Sequence, residues 1–216
     1  MKYLSTRDNS LKKSFNEILY QGLSKDGGLY LPVEWPTIDI DSLENKSYED
    51  VALEIIFPFV KENLIKSDLQ KILNESYADF KHEKKAPIKE LQTNKYILEL
   101  IYGPTYAFKD YALQFLGKLF SNSLDVNPRK LTVLGATSGD TGSAAIHAFK
   151  TNQDINVFIL HPHGKVSPIQ QKQMTTIDEE NIFNIAIEGN FDDCQNIVKT
   201  LFVDDEIQNK TSLTAI

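Results

Sequence analysis

The sequence has a single cysteine, Cys194, among its 216 residues. One cysteine can form neither an internal disulfide nor a cysteine cluster for zinc, so a disulfide-rich secreted scaffold and a zinc finger are excluded. The first fifteen residues are polar and lack the apolar core of a targeting signal. Together these absences predict a cytoplasmic protein.

Long hydrophobic runs and an excess of positive charge are also missing. Apolar stretches such as residues 55–60 are short and contain a proline, so none is long enough to span a bilayer. The formal net charge of −7 disfavours binding to nucleic acid or to an anionic membrane. The four histidines show no metal-ligand spacing with carboxylates. Any anionic ligand must therefore be met by local positive side chains.

The composition itself, 41% hydrophobic and 25% charged, is that of a globular protein. Serines precede apolar runs at Ser10, Ser47 and Ser67 and predict three helices, the first over residues 11–19. Residues 26–32 predict a turn followed by a short extended piece. Charged residues 81–85 mark a predicted boundary. We therefore expect a helical N-terminal domain over residues 1–85 and a second domain over residues 86–216.

From residue 96 onward, short β-type runs alternate with helical ones. Strands are predicted at residues 97–101, 131–134, 157–160 and 182–187, and helices at residues 109–122, 141–150, 167–176 and 192–203. This alternation predicts an α/β fold in which helices cover a mainly parallel sheet and ligands bind at the carboxyl ends of its strands. The apolar, extended-looking end at residues 211–216 leads us to expect a truncated product.

Lys109 lies where a predicted buried strand, the turn Gly103-Pro104-Thr105 and a helix meet. We expect it in the first turn of that helix, where the dipole disfavours a cation by about 0.3–1 kcal/mol. One interpretation is a solvated surface lysine flanked by Asp110. The other is an uncharged amine that forms a Schiff base with an aldehyde, usually pyridoxal phosphate. The residues alone leave both open.

A loop rich in glycine and hydroxyl groups follows the predicted strand 131–134 and opens the next helix. Such a loop presents N–H groups and hydroxyls to an anion, although its spacing fits neither common nucleotide-binding motif. An ordinary turn capped by Asp140 or Thr141 is the alternative. In a third loop, Lys165 and Ser167 are candidates for the same cleft, but Ser167 before Pro168 also fits a simple helix cap.

Six segments in order resemble the threonine synthase family of pyridoxal-phosphate enzymes, which have the tryptophan-synthase-β type of fold. They are residues 1–7, residues 22–32, the segment from Gly103 to Asp110, residues 136–142, residues 164–168 and residues 188–195. The resemblance covers nearly the whole chain. It implies an incomplete fold type II enzyme, with a helical N-terminal domain followed by a mainly parallel sheet with flanking helices.

The resemblance also implies pyridoxal 5'-phosphate as cofactor, with Lys109 as both its covalent anchor and the catalytic base. The implied reaction converts the small-molecule substrate O-phospho-L-homoserine and water to L-threonine and phosphate. Implied substrate-binding residues are Thr137, Ser138, Gly139, Asp140, Thr141, Lys165 and Ser167.

Two departures from the family pattern affect these expectations. Tyr102 and Tyr106 replace an expected histidine and leucine, and the family's phosphate-binding loop belongs to a second half with no counterpart here. We therefore expect the chain alone to be inactive or nearly so. The alternatives are another pyridoxal-phosphate lyase such as a threonine or serine dehydratase, a non-catalytic phospho-ligand binder related to threonine synthase, or a plain nucleotide-binding α/β domain.

Overall fold

The structure, a computed structural model, describes residues 1–10, 12–126 and 129–216. The chain divides into two compact units, Met1–Glu75 and Ser76–Thr214. The domain boundary expected after residue 85 stays a prediction. Among the described residues, none of the helices combines the length and the apolar character that crossing a bilayer requires.

The first unit combines a two-stranded antiparallel sheet with helices. Strands β1 (Tyr3–Ser5) and β2 (Tyr30–Pro32) pair through Leu4 and Leu31. The helices are α1 (Phe15–Ile18), α2 (Tyr48–Val60) and the start of α3 (Lys66–Tyr77). The extended piece expected within residues 26–32 is confirmed as β2.

Two of the three predicted helix starts need correction. The helix expected over residues 11–19 is only α1, because Ser14 rather than Ser10 is its N-cap and Lys13 pairs with Tyr3 as an isolated β-bridge. Leu11, part of that prediction, lies outside the described residues. Helix α3 begins at Lys66, so Ser67 lies inside its first turn. The cap at Ser47 is confirmed, since its side chain accepts a hydrogen bond from Asp50 N–H.

The second unit begins with a β-hairpin formed by β3 (Ile88–Gln92) and β4 (Lys95–Leu98). The buried strand expected at residues 97–101 is therefore wrong. Its aliphatic residues end an exposed antiparallel strand, in which Ile97 is 46% and Leu98 53% exposed. The physical reason is the turn before β4: Asn94 adopts a left-handed conformation with φ of 62°, which folds the chain back on itself.

The main sheet has four strands in the order β7-β6-β5-β8. Strands β5 (Leu131–Ala136), β6 (Ile155–Pro162) and β7 (Ile182–Ile187) are parallel, as predicted, and β8 (Leu213–Ala215) lies beside β5. Val133, Ile155, Val157 and Ile159 are completely buried. Each such side chain contributes about 1.5–3 kcal/mol to stability, which makes these strands the firm part of the unit.

Five helices accompany this sheet: α4 (Asp110–Val126), α5 (Asp140–Phe149), α6 (Pro168–Thr175), α7 (Phe191–Phe202) and α8 (Asp205–Thr211). The first four begin within one residue of the predicted starts. Helices α4 and α5 pack closely, since a Cβ added at Gly117 would lie 2.6 Å from the backbone oxygen of Ala148. Near the start of α4, Gln114 Nε2 also donates to Ala144 O at 3.3 Å, so this end of the helix contacts α5 as well.

Candidate active site

The loops after β5, β6 and β7 lie at one edge of the parallel sheet, where the carboxyl ends of the strands meet. Backbone bonds join these loops to neighbouring strands. The N–H of Thr137 donates to Leu160 O at 2.9 Å, and the N–H of His163 donates to Ile187 O at 2.9 Å. The structure thus places the expected substrate-binding residues, which belong to the first two of these loops, along the same edge.

Lys109 lies immediately before α4 rather than inside its first turn. Its backbone oxygen accepts hydrogen bonds from Ala112 at 3.2 Å and Leu113 at 2.9 Å. Its ammonium nitrogen lies 4.6 Å from the centre of the Phe108 ring, a cation–π contact. In the described part of the chain, no carboxylate lies within ion-pair distance of this nitrogen. Lys109 is half-buried and is not the solvated partner of Asp110.

Asp110, which flanks Lys109 in the surface interpretation of that lysine, is completely buried. Its carboxylate accepts hydrogen bonds from the Thr105 N–H at 2.8 Å, from the Thr105 hydroxyl at 3.0 Å and from Gln114 Nε2 at 3.0 Å. A Cβ added at Gly103 would lie 2.4 Å from the Asp110 side chain. The turn before Lys109 is therefore packed directly on this carboxylate.

The loop after β5 is organised by the Thr137 hydroxyl. This oxygen accepts hydrogen bonds from Gly139 N–H at 3.0 Å and from Gly142 N–H at 2.9 Å, and Thr137 is 2% exposed. Ser138, by contrast, is exposed. Thr137 therefore shapes the loop, while Ser138 presents its hydroxyl to the surroundings.

Gly139, rather than Asp140 or Thr141, is the N-cap of α5. Its φ of 145° and a Cβ position 2.3 Å from Gln170 Oε1 both exclude a side chain. Asp140 accepts the N–H of the next residue, Thr141, at 2.9 Å. Both of these side chains are half-buried at the helix start.

Lys165 and Ser167 are exposed and already hydrogen-bonded. Lys165 Nζ donates to Gly189 O at 2.8 Å. Ser167 is the N-cap of α6, with Pro168 at the first helical position, and its hydroxyl donates to Gln170 Oε1 at 3.0 Å. The capping role considered for Ser167 is confirmed.

Gln170 and Gln173 on α6 are site residues that the sequence analysis missed. Gln173 Nε2 donates to Thr105 O at 3.0 Å, which ties α6 to the turn before Lys109. Gln170 packs on Gly139, so α6 contacts both the lysine segment and the glycine loop. The signal was their spacing of three residues, which places both on one helix face.

A cleft of about 390 Å³ lies between these segments. It is lined by Leu100, Ile101, Thr105, Tyr106, Ala107, Phe108, Asp140, Gln170 and Gln173. Of the expected site residues only Asp140 lines it directly, and Lys109 borders it through its neighbour Phe108. Tyr106 enters this lining with φ of 63°, an uncommon backbone conformation for a residue other than glycine.

His147 ends a polar chain that starts at Asp110. Gln114 bonds Asp110 through its Nε2, and its Oε1 lies 3.3 Å from His147 Nδ1. Burial of the ring, with the charge of Lys150 in the same direction, lowers the pKa of His147 below its ordinary value of 6.5, against the opposing charge of Asp110. The folded protein therefore favours the neutral imidazole.

The chain is similar to known threonine synthases. The family described as "Threonine synthase N terminus" matches residues 2–77. Threonine synthase from Pseudomonas aeruginosa is 44% identical over all of this chain and 47% of its own length. The enzyme from Eremothecium gossypii is 46% identical over 99% of this chain and 45% of its own length.

A solved structure gives the same result. The PLP-bound threonine synthase from Brucella melitensis is 43% identical, with a TM-score of 0.93 over 100% of this chain and 47% of that chain. The chain is similar over its whole length to part of these threonine synthases, and residues 2–77 match their amino-terminal region. It spans about half the length of these threonine synthases. Yeast threonine synthase has the same fold, with a TM-score of 0.89 at 40% identity over 99% of this chain and 45% of that chain.

A matched pair of variants tests whether the Thr137 hydroxyl stabilises the loop. Thr137→Val should lower the free energy of unfolding by about 1–3 kcal/mol, because two buried N–H groups lose their acceptor. Thr137→Ser keeps the oxygen and should lose clearly less. Urea unfolding followed by circular dichroism measures both, and equal losses would contradict the role given to the hydroxyl.

His147 should make stability depend on pH. An imidazole whose pKa is lowered on folding binds a proton more readily in the unfolded chain, so the free energy of unfolding should fall as the pH drops below 6.5 toward the folded value. His147→Gln cannot titrate and should flatten this part of the curve. Urea midpoints between pH 5 and 8 test this, and an unchanged slope in the variant would contradict it.

Proposed function

We propose that this chain provides the lysine-bearing part of a pyridoxal-phosphate-dependent threonine synthase. The reaction would convert O-phospho-L-homoserine and water to L-threonine and phosphate. The observation that supports it most is the position of Lys109, a half-buried lysine free of ion pairs among the described residues, in a fold that matches the PLP-bound enzyme from Brucella melitensis.

The donor set around Lys109 fits such a cofactor in part. Among the described residues the amine makes a cation–π contact and no ion pair, so it can be released for covalent attachment to an aldehyde. The adjacent cleft is large enough for a small ligand. The N–H groups of Gly139, Thr141 and Gly142 are already bonded within their own loop. The residues around Lys109 therefore fit the aldehyde end of the cofactor, and we propose no residue of this chain for binding its phosphate.

Lys109 would have two roles. Bound pyridoxal phosphate supplies an electron sink that stabilises negative charge at the substrate Cα. The Nζ of Lys109, once free, would accept a proton from Cα and one from Cβ. It would return one proton to Cγ, from which phosphate leaves, and one to Cα when the hydroxyl of water adds at Cβ. Both roles need the amine to reach the cleft, and the Phe108 ring that it contacts is part of the cleft lining.

The loop from Thr137 to Thr141 would bind the substrate. Ser138 has an exposed hydroxyl, and Asp140 and Thr141 lie at the start of α5, where the helix dipole favours an anionic group. Thr137 and Gly139 would contribute to substrate binding by fixing the shape of the loop. Asp140 lines the cleft, so a hydrogen-bond donor of the substrate is a more suitable partner for its carboxyl group than the phosphate.

Lys165 would supply positive charge for an anionic substrate, and Ser167 would add a hydroxyl. Lys165 donates one of its three N–H groups to Gly189 O in this structure, so two N–H groups would remain for an anion. We further propose that the protein belongs to the fold type II class. We also propose a cytosolic location, because a single cysteine can form no internal disulfide that would require an oxidising compartment. The proposed substrate is a small molecule.

The proposal predicts selective attachment of the cofactor. Incubating the purified chain with pyridoxal phosphate and then reducing with borohydride should place the adduct on Lys109, because an amine released from a cation–π contact beside a cleft reacts more readily than solvated lysines. Peptide mass spectrometry locates the adduct. Lys109→Arg should abolish it, and Lys199→Arg, at an exposed position of α7, should not.

The result is interpreted against the other lysines of the same sample. Labelling spread over many lysines with no preference for Lys109 would contradict the proposed anchor. Addition of O-phospho-L-homoserine or of L-serine before reduction separates the proposed synthase from a dehydratase, since only the substrate of the enzyme should compete with Lys109 for the cofactor.

A further inference from the structure

The carboxylate of Asp110 has no counter-ion among the described residues. The residue is completely buried, and among the described residues no lysine, arginine or histidine lies within ion-pair distance of it. Burying a charged group is costly unless hydrogen bonds replace the lost water. Both carboxylate oxygens act as acceptors, so the side chain depends on neutral donors.

Those donors come from the two sides of Lys109. Thr105 supplies its N–H and hydroxyl from the turn before the lysine, and Gln114 supplies Nε2 from the next turn of α4. Thr105 is further fixed by Gln173, which donates to its carbonyl from α6. The short segment between Thr105 and Asp110 is thus held at both ends, and Lys109 is its last residue.

Helix-dipole stabilisation alone does not account for this arrangement. An acidic residue in the first turn of a helix contributes about 0.3–1 kcal/mol while remaining in water. Asp205 occupies the first position of α8 in that way and is exposed. Asp110 occupies the same position of α4, but it is buried and bonded to the preceding turn. The additional contacts therefore serve the turn rather than the helix.

We infer that Asp110 is a positioning residue for Lys109: its hydrogen bonds to Thr105 and Gln114 fix the segment from Gly103 to Lys109 so that the amine stands at the rim of the cleft. The inference rests on the proposed function of Lys109. Gly103 takes part in the same packing, because a side chain there would collide with Asp110.

Two readouts on the chain test this inference. Hydrogen exchange of the peptide covering residues 103–109, measured without cofactor, reports the order of the segment. Borohydride trapping with pyridoxal phosphate reports whether the adduct prefers Lys109. Asp110→Asn turns one acceptor oxygen into a donor, and we expect about tenfold faster exchange and about tenfold lower preference for Lys109.

Matched variants separate the contacts from general effects. Thr105→Val removes the hydroxyl donor and should act in the same direction, whereas Thr105→Ser keeps it and should resemble the unmodified chain. Asp205→Asn removes a charge from the same helix position without buried contacts, so both readouts should be unchanged. If Asp110→Asn does not fold, the two Thr105 variants decide the question.

The outcomes distinguish the two claims. If Lys109 is labelled equally well in the unmodified chain and in a folded Asp110→Asn or Thr105→Val, the positioning role is wrong and the proposed function stands. If the unmodified chain shows no preference for Lys109, the proposed anchor is wrong. In that case hydrogen exchange alone decides the inference. Faster exchange of residues 103–109 in these variants than in the unmodified chain supports the positioning role of Asp110, and unchanged exchange overturns it.

Discussion

A completely buried carboxylate has to find hydrogen-bond donors, and Asp110 finds them in the turn that leads to Lys109. This requirement couples three elements that are separate in the sequence. Asp110 is bonded to the turn through Thr105 and to α4 through Gln114. Helix α6 is bonded to the same turn, because Gln173 donates to Thr105 O. The position of Lys109 is therefore a consequence of polar groups that must be satisfied.

The parallel sheet provides the second part of the site. Since β5, β6 and β7 run in one direction, their following loops share an edge without any need for direct contact between them. The loop after β5 then adopts its form because the Thr137 hydroxyl bonds two glycine N–H groups, one of them in α5. Buried polar groups shape both halves of the cleft, and exposed groups such as Ser138 are left for ligands.

The sequence predicted the features that depend on local patterns. Short apolar runs located β5, β6 and β7, and the alternation of β-type and helical runs located the starts of the first four helices that follow residue 108. Contacts between distant segments had no such signal. Asp110 beside Lys109 gave no indication of its bonds to Thr105 and Gln114, and Gln173 gave none of its bond to Thr105, 68 residues away. The aliphatic run before Gly103 suggested burial, yet the turn at Asn94 folds it into an exposed hairpin.

The central claim is that this fold delivers one lysine to the cleft beside the glycine loop. A crystal structure of the chain grown with pyridoxal phosphate tests it most directly. The account predicts continuous density from Lys109 Nζ into the cleft bordered by Asp140 and Gln170, with the bonds between Thr105 and Asp110 retained. Density on another lysine, with Lys109 still stacked on Phe108, would contradict it.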